Sequence, residues 1–164
     1  MFPAASSTGF TVPHCRASLG EEEYQAVSEA MRTGWLVHGP QNHAFEEQFT
    51  KFIGVPHAVS LNSCTSALYL AVRALGVTGE VIMPSFTFMA TANAVDEAGA
   101  SPVFAEIRYD TCNLDPEDVA RRITANTEAI MPVHFAGQCC DMTALSALAK
   151  KHDLALIEDC AETL

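Results

Sequence analysis

The fold class is decided by residues 142–158, MTALSALAKKHDLALIE. Its first part, Met142–His152, is a helical stretch, and residues 154–158 form a short apolar run of the kind that buried strands have. The same alternation recurs along the chain, with further β-like runs at 57–61, 80–83, 102–107 and 128–133 and further helical stretches at 65–75, 87–98 and 116–123. This pattern predicts an α/β fold that has a mainly parallel sheet with helices on both faces.

Composition and charge narrow the class of protein. The chain has 164 residues, of which 49% are hydrophobic and 18% charged, and this suits one packed domain and argues against disorder. The formal net charge of −11, from 20 acidic and 9 basic residues, repels phosphate backbones and anionic lipids. We therefore expect neither a nucleic acid nor a membrane as partner.

Two features of the sequence bear on where the protein resides. The opening residues, MFPAASSTGF, lack the basic start and the long apolar run of a signal peptide. No stretch reaches the roughly 20 consecutive apolar residues that a membrane-spanning helix needs. Together they predict a cytoplasmic protein.

The cysteines predict neither disulfides nor a metal site. All six of them lie outside CxxC pairs and outside the spacings typical of zinc sites. Cys139 and Cys140 are adjacent, which is unsuited to a relaxed disulfide. We expect reduced cysteines that pack as small apolar residues, and we predict no metal-binding residues.

In open parallel sheets, ligands bind at the carboxyl ends of the strands, so the segments that follow the β-like runs are the candidate site. The first of these is residues 62–68, NSCTSAL, where small hydroxylated residues open a helix. Free backbone N–H groups and the helix dipole favour an anion there, and Thr65 and Ser66 add hydroxyl donors. The alternative is that Ser63 or Thr65 only caps the helix.

Three more strand ends carry candidate side chains. Phe86 and Phe88 follow the second strand, and either both belong to the core or one ring stacks on a flat ligand. Asp159 and Glu162 follow the last apolar run, where a carboxylate either caps the next helix or binds a cationic group. His134 ends another strand, a position where histidine is more often structural than part of a pocket.

In this order, the segments resemble the DegT/StrS family of sugar aminotransferases that depend on pyridoxal phosphate (PLP). Nine matching blocks lie in sequence at 34–40, 45–46, 62–68, 79–84, 87–93, 99–103, 113–116, 132–137 and 157–162. They cover nearly everything from Gly34 onward, which makes the resemblance specific. It implies an incomplete large domain of the aspartate-aminotransferase-like fold (fold type I), with pyridoxal 5′-phosphate as cofactor.

The resemblance implies a role for each candidate cofactor-binding residue. Thr65 and Ser66 match the positions that hold the cofactor's phosphate, and Phe88 matches the aromatic side chain that stacks on the pyridine ring. Asp159 matches the carboxylate that pairs with the pyridine nitrogen and keeps it protonated. Glu162 falls where the family commonly has glutamine or histidine near the phenolic oxygen, so here the chain departs from the pattern.

The residue that does the chemistry is not expected within this chain. The family places its Schiff-base lysine after the strand that carries the aspartate, and that position lies beyond Leu164. Lys51 is in an early amphipathic helix, while Lys150 and Lys151 end a helix, where cations usually face solvent. We therefore predict no catalytic residue in the chain and expect the chain alone to be inactive.

The resemblance also implies a domain organisation and a reaction. We expect a leader at 1–17 and a partial PLP-binding large domain at 18–164, with the C-terminal small domain absent from this chain. A full protein would transfer an amino group from glutamate to the keto carbon of a nucleotide-linked sugar, in amino-sugar, polysaccharide or antibiotic-sugar biosynthesis. It would act as a homodimer, since active sites of the family lie between two subunits.

Two alternatives stay open. Some relatives are sugar dehydratases that use pyridoxamine phosphate (PMP) and carry a histidine in place of the lysine, and that deciding residue also lies beyond Leu164. The other alternative is a non-catalytic remnant or binding module that keeps the fold without the chemistry.

Overall fold

The structure, a computed structural model, describes residues 16–163. They belong to two compact units, which divide between Ala58 and Val59. The predicted leader 1–17 lies almost entirely outside the described residues, so its boundary stays a prediction. Among residues 16–163, no helix is both long and apolar enough to cross a membrane.

The first unit contains two helices, α1 (Glu21–Thr33) and α2 (Pro40–Ile53). Both helices end at a glycine with positive φ, 71° at Gly34 and 82° at Gly54, a backbone conformation that residues other than glycine rarely adopt. None of the residues within the two helices is buried. Their apolar side chains are therefore left without a core of their own.

The second unit is built from alternating helices and strands. In chain order its elements are α3 (Cys64–Ala74), β1 (Glu80–Pro84), α4 (Met89–Glu97), β2 (Ser101–Ala105), α5 (Pro116–Arg122), β3 (Thr127–Ile130), a 3₁₀ turn (Phe135–Gly137), α6 (Met142–His152) and β4 (Ala155–Leu156). The strands form a four-stranded sheet in the order β2-β1-β3-β4, with every pairing parallel. The predicted α/β fold with a parallel sheet is confirmed.

Helices cover both faces of this sheet because successive strand residues point to opposite sides. Val81 and Met83 of β1 pack into one core with the buried residues of α3 and α4. Ile82, between them, packs into a second core with those of α5 and α6. This two-layer burial explains why β1 reads as an unbroken apolar run in the sequence.

The predicted strand at 57–61 is wrong. These residues have no strand partner among the described residues, and Val59 is 76% exposed. The segment has the apolar composition of a strand, but an extended segment becomes one only when a neighbour takes its backbone hydrogen bonds. The other four predicted strands are present, and β3 and β4 are shorter than expected.

Candidate functional site

The last parallel pairing brings Asp159 to the carboxyl edge of the sheet. Beyond β4, the backbone N–H of Asp159 donates to Pro132 O (2.9 Å), and that of His134 donates to Asp159 O (3.2 Å). These bonds continue the ladder between the segments that follow β3 and β4. The backbone of Asp159 is therefore fixed where the sequence predicts a site.

Asp159 is 4% exposed, and its side chain accepts hydrogen bonds from neutral donors. Thr91 Oγ1 donates to its Oδ2 (2.8 Å), while the Ala161 N–H (3.1 Å) and the Cys64 thiol (3.7 Å) donate to its Oδ1. No lysine, arginine or histidine within residues 16–163 forms an ion pair with it. A buried carboxylate without a cationic partner is suited to bind a cationic group of a ligand.

The N-terminus of α3 lies beside this carboxylate, since Cys64 is its first residue. Ser63 Oγ accepts the N–H of Ser66 (3.1 Å), which confirms the predicted cap for Ser63. The N–H groups of Cys64 and Thr65, in the first turn, have no partner within the helix. Thr65 is also exposed, so this turn offers donors to an anion, although the binding roles of Thr65 and Ser66 stay predictions.

The two phenylalanines after β1 differ in their surroundings, and the interpretation that both belong to the core is wrong. The ring of Phe86 packs against that of Phe135, with 4.9 Å between ring centroids. Phe88, the residue that precedes α4, is 81% exposed and has no ring partner among the described residues. An exposed ring at a strand end is available to stack on a flat ligand, which favours Phe88 over Phe86 for that role.

Glu162 is exposed and bonded to the neighbouring turn. Its carboxylate accepts the backbone N–H of Ala136. Ala136 and Gly137 both have positive φ, 53° and 80°, which is an unfavourable conformation for alanine. Glu162 therefore supports an unusual turn at the edge of the site, and the structure leaves its predicted contact with a cofactor untested.

His134 has a structural role. Its buried ring accepts the Cys140 N–H at Nδ1 (3.1 Å), so the proton of the neutral ring lies on Nε2, 2.9 Å from Glu158 Oε2. Glu158 and Cys160 lie close enough to share a metal ion with this ring. The tautomer argues against that, because Nε2 has no free lone pair.

The described cysteines are free thiols, but among them only Cys140 is buried, and Cys15 lies outside the described residues. The prediction that the cysteines pack as small apolar residues is therefore wrong for the exposed Cys64, Cys139 and Cys160. Partial desolvation by the surrounding residues is the main cause that raises the pKa of the Cys160 thiol to about 11, with the carboxylates of Glu158 and Asp159 adding to it. Partial desolvation also raises the pKa of Cys64. Both side chains are protonated at neutral pH, so Cys64 donates to Asp159 and neither acts as a thiolate nucleophile.

Sequence reasoning missed Thr91, although it lies in one of the matching blocks. The signal was its position, because Thr91 shares the buried face of α4 with Ala94 and Val95. A hydroxyl on an apolar helix face needs a partner, and here the partner is Asp159. The sequence does not reveal this contact, because the two residues lie 68 positions apart in the chain.

Taken together, the groups at this edge of the sheet fit a small ligand that has both an anionic and a cationic group. First-turn N–H groups and the hydroxyl of Thr65 suit an anionic group, and Phe88 offers a ring face. Asp159 offers a buried negative charge for a protonated nitrogen. A phosphorylated aromatic cofactor with a basic ring nitrogen has these three features.

Comparison with known proteins identifies the family. The model of the DegT/DnrJ/EryC1/StrS aminotransferase family matches residues 17–164. Spore coat polysaccharide biosynthesis protein SpsC from Bacillus subtilis is 44% identical over 155 residues, which are 93% of this chain and 40% of SpsC.

Solved structures give the same result. DesV from S. venezuelae, in complex with a ketimine intermediate, is 40% identical over 87% of this chain and 39% of its own, with a TM-score of 0.84. NtdA from Bacillus subtilis, with bound cofactor PMP, is 31% identical over 86% of this chain and 33% of its own, with a TM-score of 0.83. Pyridoxal phosphate is the cofactor of the family. This chain spans about two fifths of the length of these relatives. It belongs to the DegT/DnrJ/EryC1/StrS aminotransferase family.

Proposed function

We propose that this chain supplies the cofactor-binding part of a PLP-dependent sugar aminotransferase. The reaction moves an amino group from glutamate to the keto carbon of a nucleotide-linked sugar, and serves the biosynthesis of amino sugars, polysaccharides or antibiotic sugars. Membership of the family supports the reaction class, and the name of SpsC supports a polysaccharide product. The proposed active form is a cytoplasmic homodimer.

The observation that carries this proposal is the contact between Cys64 and Asp159, 95 residues apart in sequence. It joins the helix N-terminus that suits a phosphate to the buried carboxylate that suits a protonated ring nitrogen. A helix N-terminus alone binds many anions, and a buried aspartate alone is often structural. Only a ligand that has both a phosphate and a protonated ring nitrogen can bind the helix N-terminus and Asp159 at the same time.

The described residues divide the work of holding the cofactor. Thr65, Ser66 and the first-turn N–H groups of α3 bind the phosphate, and Phe88 covers one face of the ring. Asp159 holds a proton at the pyridine nitrogen, and Thr91 keeps its carboxylate oriented through a 2.8 Å hydrogen bond. When bound, the protonated ring supplies an electron sink for the amino-group transfer.

Glu162 belongs to the rim of the proposed site. Through Ala136 it fixes the turn 135–137, which lies at the same carboxyl edge as Asp159. In this proposal its carboxylate lies near the phenolic oxygen of the cofactor. The lysine of the family reaction is expected beyond this chain, so binding and catalysis are tested separately.

Binding is tested with PMP, because it has no aldehyde and so cannot attach to surface lysines. We expect the purified chain to bind PMP in isothermal titration calorimetry, and Asp159→Asn to weaken the affinity about tenfold or more by removing a charged hydrogen-bond partner. Phe88→Ala should weaken it several-fold. Glu97→Gln, an exposed change at the far end of α4, is the control.

Two results would contradict the assignment of the cofactor site. One is the absence of binding at about 1 mM PMP, and the other is equal affinity of the Asp159→Asn variant and the unchanged chain. The reaction is decided by the coding sequence after the Leu164 codon. A lysine that follows a serine-containing segment supports the aminotransferase, a histidine there supports the dehydratase, and a stop codon supports a binding module.

A further inference from the structure

We propose that His38, His43 and Glu46 form a binding site for a divalent transition-metal ion such as Zn²⁺. The three side chains converge in the first unit of the chain, where two imidazoles face one carboxylate. The cofactor-binding proposal uses none of them, so this inference stands or falls independently of it.

The distances suit a shared ion. His38 Nε2 lies 3.2 Å from Glu46 Oε1, and His43 Nδ1 lies 3.6 Å from Glu46 Oε2. One ligand atom from each of the three residues lies within 4.8 Å of those of the other two. A tetrahedral zinc ion about 2.0–2.1 Å from each ligand holds its ligands roughly 3.3 Å apart, so small side-chain rotations complete the site.

The local sequence explains why these side chains meet. His43 and Glu46 are three residues apart on α2, which places them on the same face of the helix. His38 comes from the preceding turn, whose position is fixed by a hydrogen bond from Trp35 Nε1 to His38 O (3.1 Å). Gly39 makes room for this arrangement, because a Cβ there would lie 2.3 Å from the indole nitrogen.

Burial and charge favour entry of an ion from solvent. The side chain of Glu46 is only 15% exposed, whereas those of His38 and His43 are 50% and 67% exposed. The carboxylate is thus the most enclosed ligand of the cluster, and the two imidazoles face the solvent. Imidazole nitrogens select zinc, copper or nickel over magnesium and calcium, which prefer oxygen ligands.

The prediction of no metal-binding residues rests on the cysteine spacings alone, so it does not cover these three side chains. Only the turn before α2 brings His38 to the other two. The second group of potential ligands, around His134, is not expected to bind a metal ion, because Nε2 of His134 carries the ring proton. The two clusters therefore lead to opposite predictions.

The test uses the chain without a histidine tag and stripped of metal, titrated with Zn²⁺ at about pH 7.5. We expect one binding site whose affinity falls about tenfold or more in both His43→Gln and Glu46→Gln. His57→Gln, another exposed histidine of the same unit, is the matched control and should bind as the unchanged chain does. Far-UV circular dichroism checks that α2 is retained. Because the side chain of His43 is exposed, its replacement is the variant least expected to disturb the fold.

Co²⁺ identifies the ligands independently, since a nitrogen and oxygen site gives only weak visible bands, whereas cysteine ligands add a strong near-ultraviolet band. The weak bands should disappear in His43→Gln and persist in His57→Gln. The proposal is overturned if Zn²⁺ does not bind at about 1 mM. It is also overturned if the affinity is the same in all variants, or if the near-ultraviolet band shows that thiolates hold the metal.

Discussion

At the residue scale, Asp118 links α5 to the segment that follows β2. Its nearly buried carboxylate accepts the backbone N–H of Glu106 (2.8 Å) and is bonded to the guanidinium groups of Arg121 and Arg122. The hydrogen bond from Arg122, followed by that from Glu106, lowers the pKa of Asp118 to about 2. This carboxylate therefore stabilises the fold in its charged form.

The lowered pKa of Asp118 predicts how stability depends on pH. Because the folded-state pKa lies below the unfolded one, the stabilisation is complete above about pH 4 and is lost as the pH falls toward about 2. The arginines are partly exposed, so we expect Asp118→Asn to lower the free energy of unfolding by only about 1–2 kcal/mol at pH 7. Urea unfolding should show this difference shrinking between pH 4 and pH 2. A constant difference over that range, or an equal effect of the exposed change Glu97→Gln, would contradict it.

At the scale of elements, Gly79 sets how closely β1 approaches β3. A Cβ at Gly79 would lie 2.3 Å from the backbone oxygen of Asn126, which also accepts the Glu80 N–H (2.8 Å). Glu128 binds the N–H groups of Thr78 and Gly79 at 2.7 and 2.9 Å. The start of β1 is thus held by hydrogen bonds to Asn126 and Glu128. A side chain at Gly79 would meet the backbone oxygen of Asn126, which cannot move aside as a flexible side chain could.

Gly79→Ala is therefore expected to shift β1 away from β3 and to lower the free energy of unfolding by about 1–3 kcal/mol. The neighbouring change Thr78→Ala keeps the bond to Glu128 and should stay within about 0.5 kcal/mol of the unchanged chain. Thermal and urea unfolding measure both. Equal stability of the two variants would mean that this contact relaxes freely.

Sequence predicts the elements of this fold best where pattern and pairing agree. The α6 bounds, Met142–His152, are found as expected because Asp141 caps the helix and basic residues end it. Residues 57–61 fail because their composition is that of a strand, yet pairing depends on a neighbour that local sequence cannot reveal. The same limit explains why β3 and β4 are shorter than their apolar runs.

The candidate site shows the same limit. Asp159 and Phe88 stand out in the sequence because both follow strands, and the structure gives each an environment suited to a ligand. Their supporting contacts do not stand out. Thr91 and Cys64 reach Asp159 only through packing of α3 and α4 on the sheet, which couples positions far apart in the chain.

At the scale of the whole molecule, apolar surface and net charge act against each other. Tyr24, Val27 and Met31 form an exposed stripe on α1, and further large apolar side chains are exposed in both units. Such surface drives association, which the net charge of −11 opposes at low salt. Salt screens the charge and leaves the apolar attraction.

We therefore expect the chain to bind the dye ANS and to self-associate at about 100 μM, more strongly at about 0.5 M NaCl than at low salt. Replacing Val27 by Ser together with Met31 by Gln should reduce both signals, because it removes most of the stripe on α1. The matched pair Gln25→Ser and Arg32→Lys alters other positions of the same helix without changing the net charge and should leave both signals unchanged. Sedimentation velocity and ANS fluorescence measure the outcome. A single monomer species that binds no dye at either salt concentration would show that this apolar surface is covered in solution.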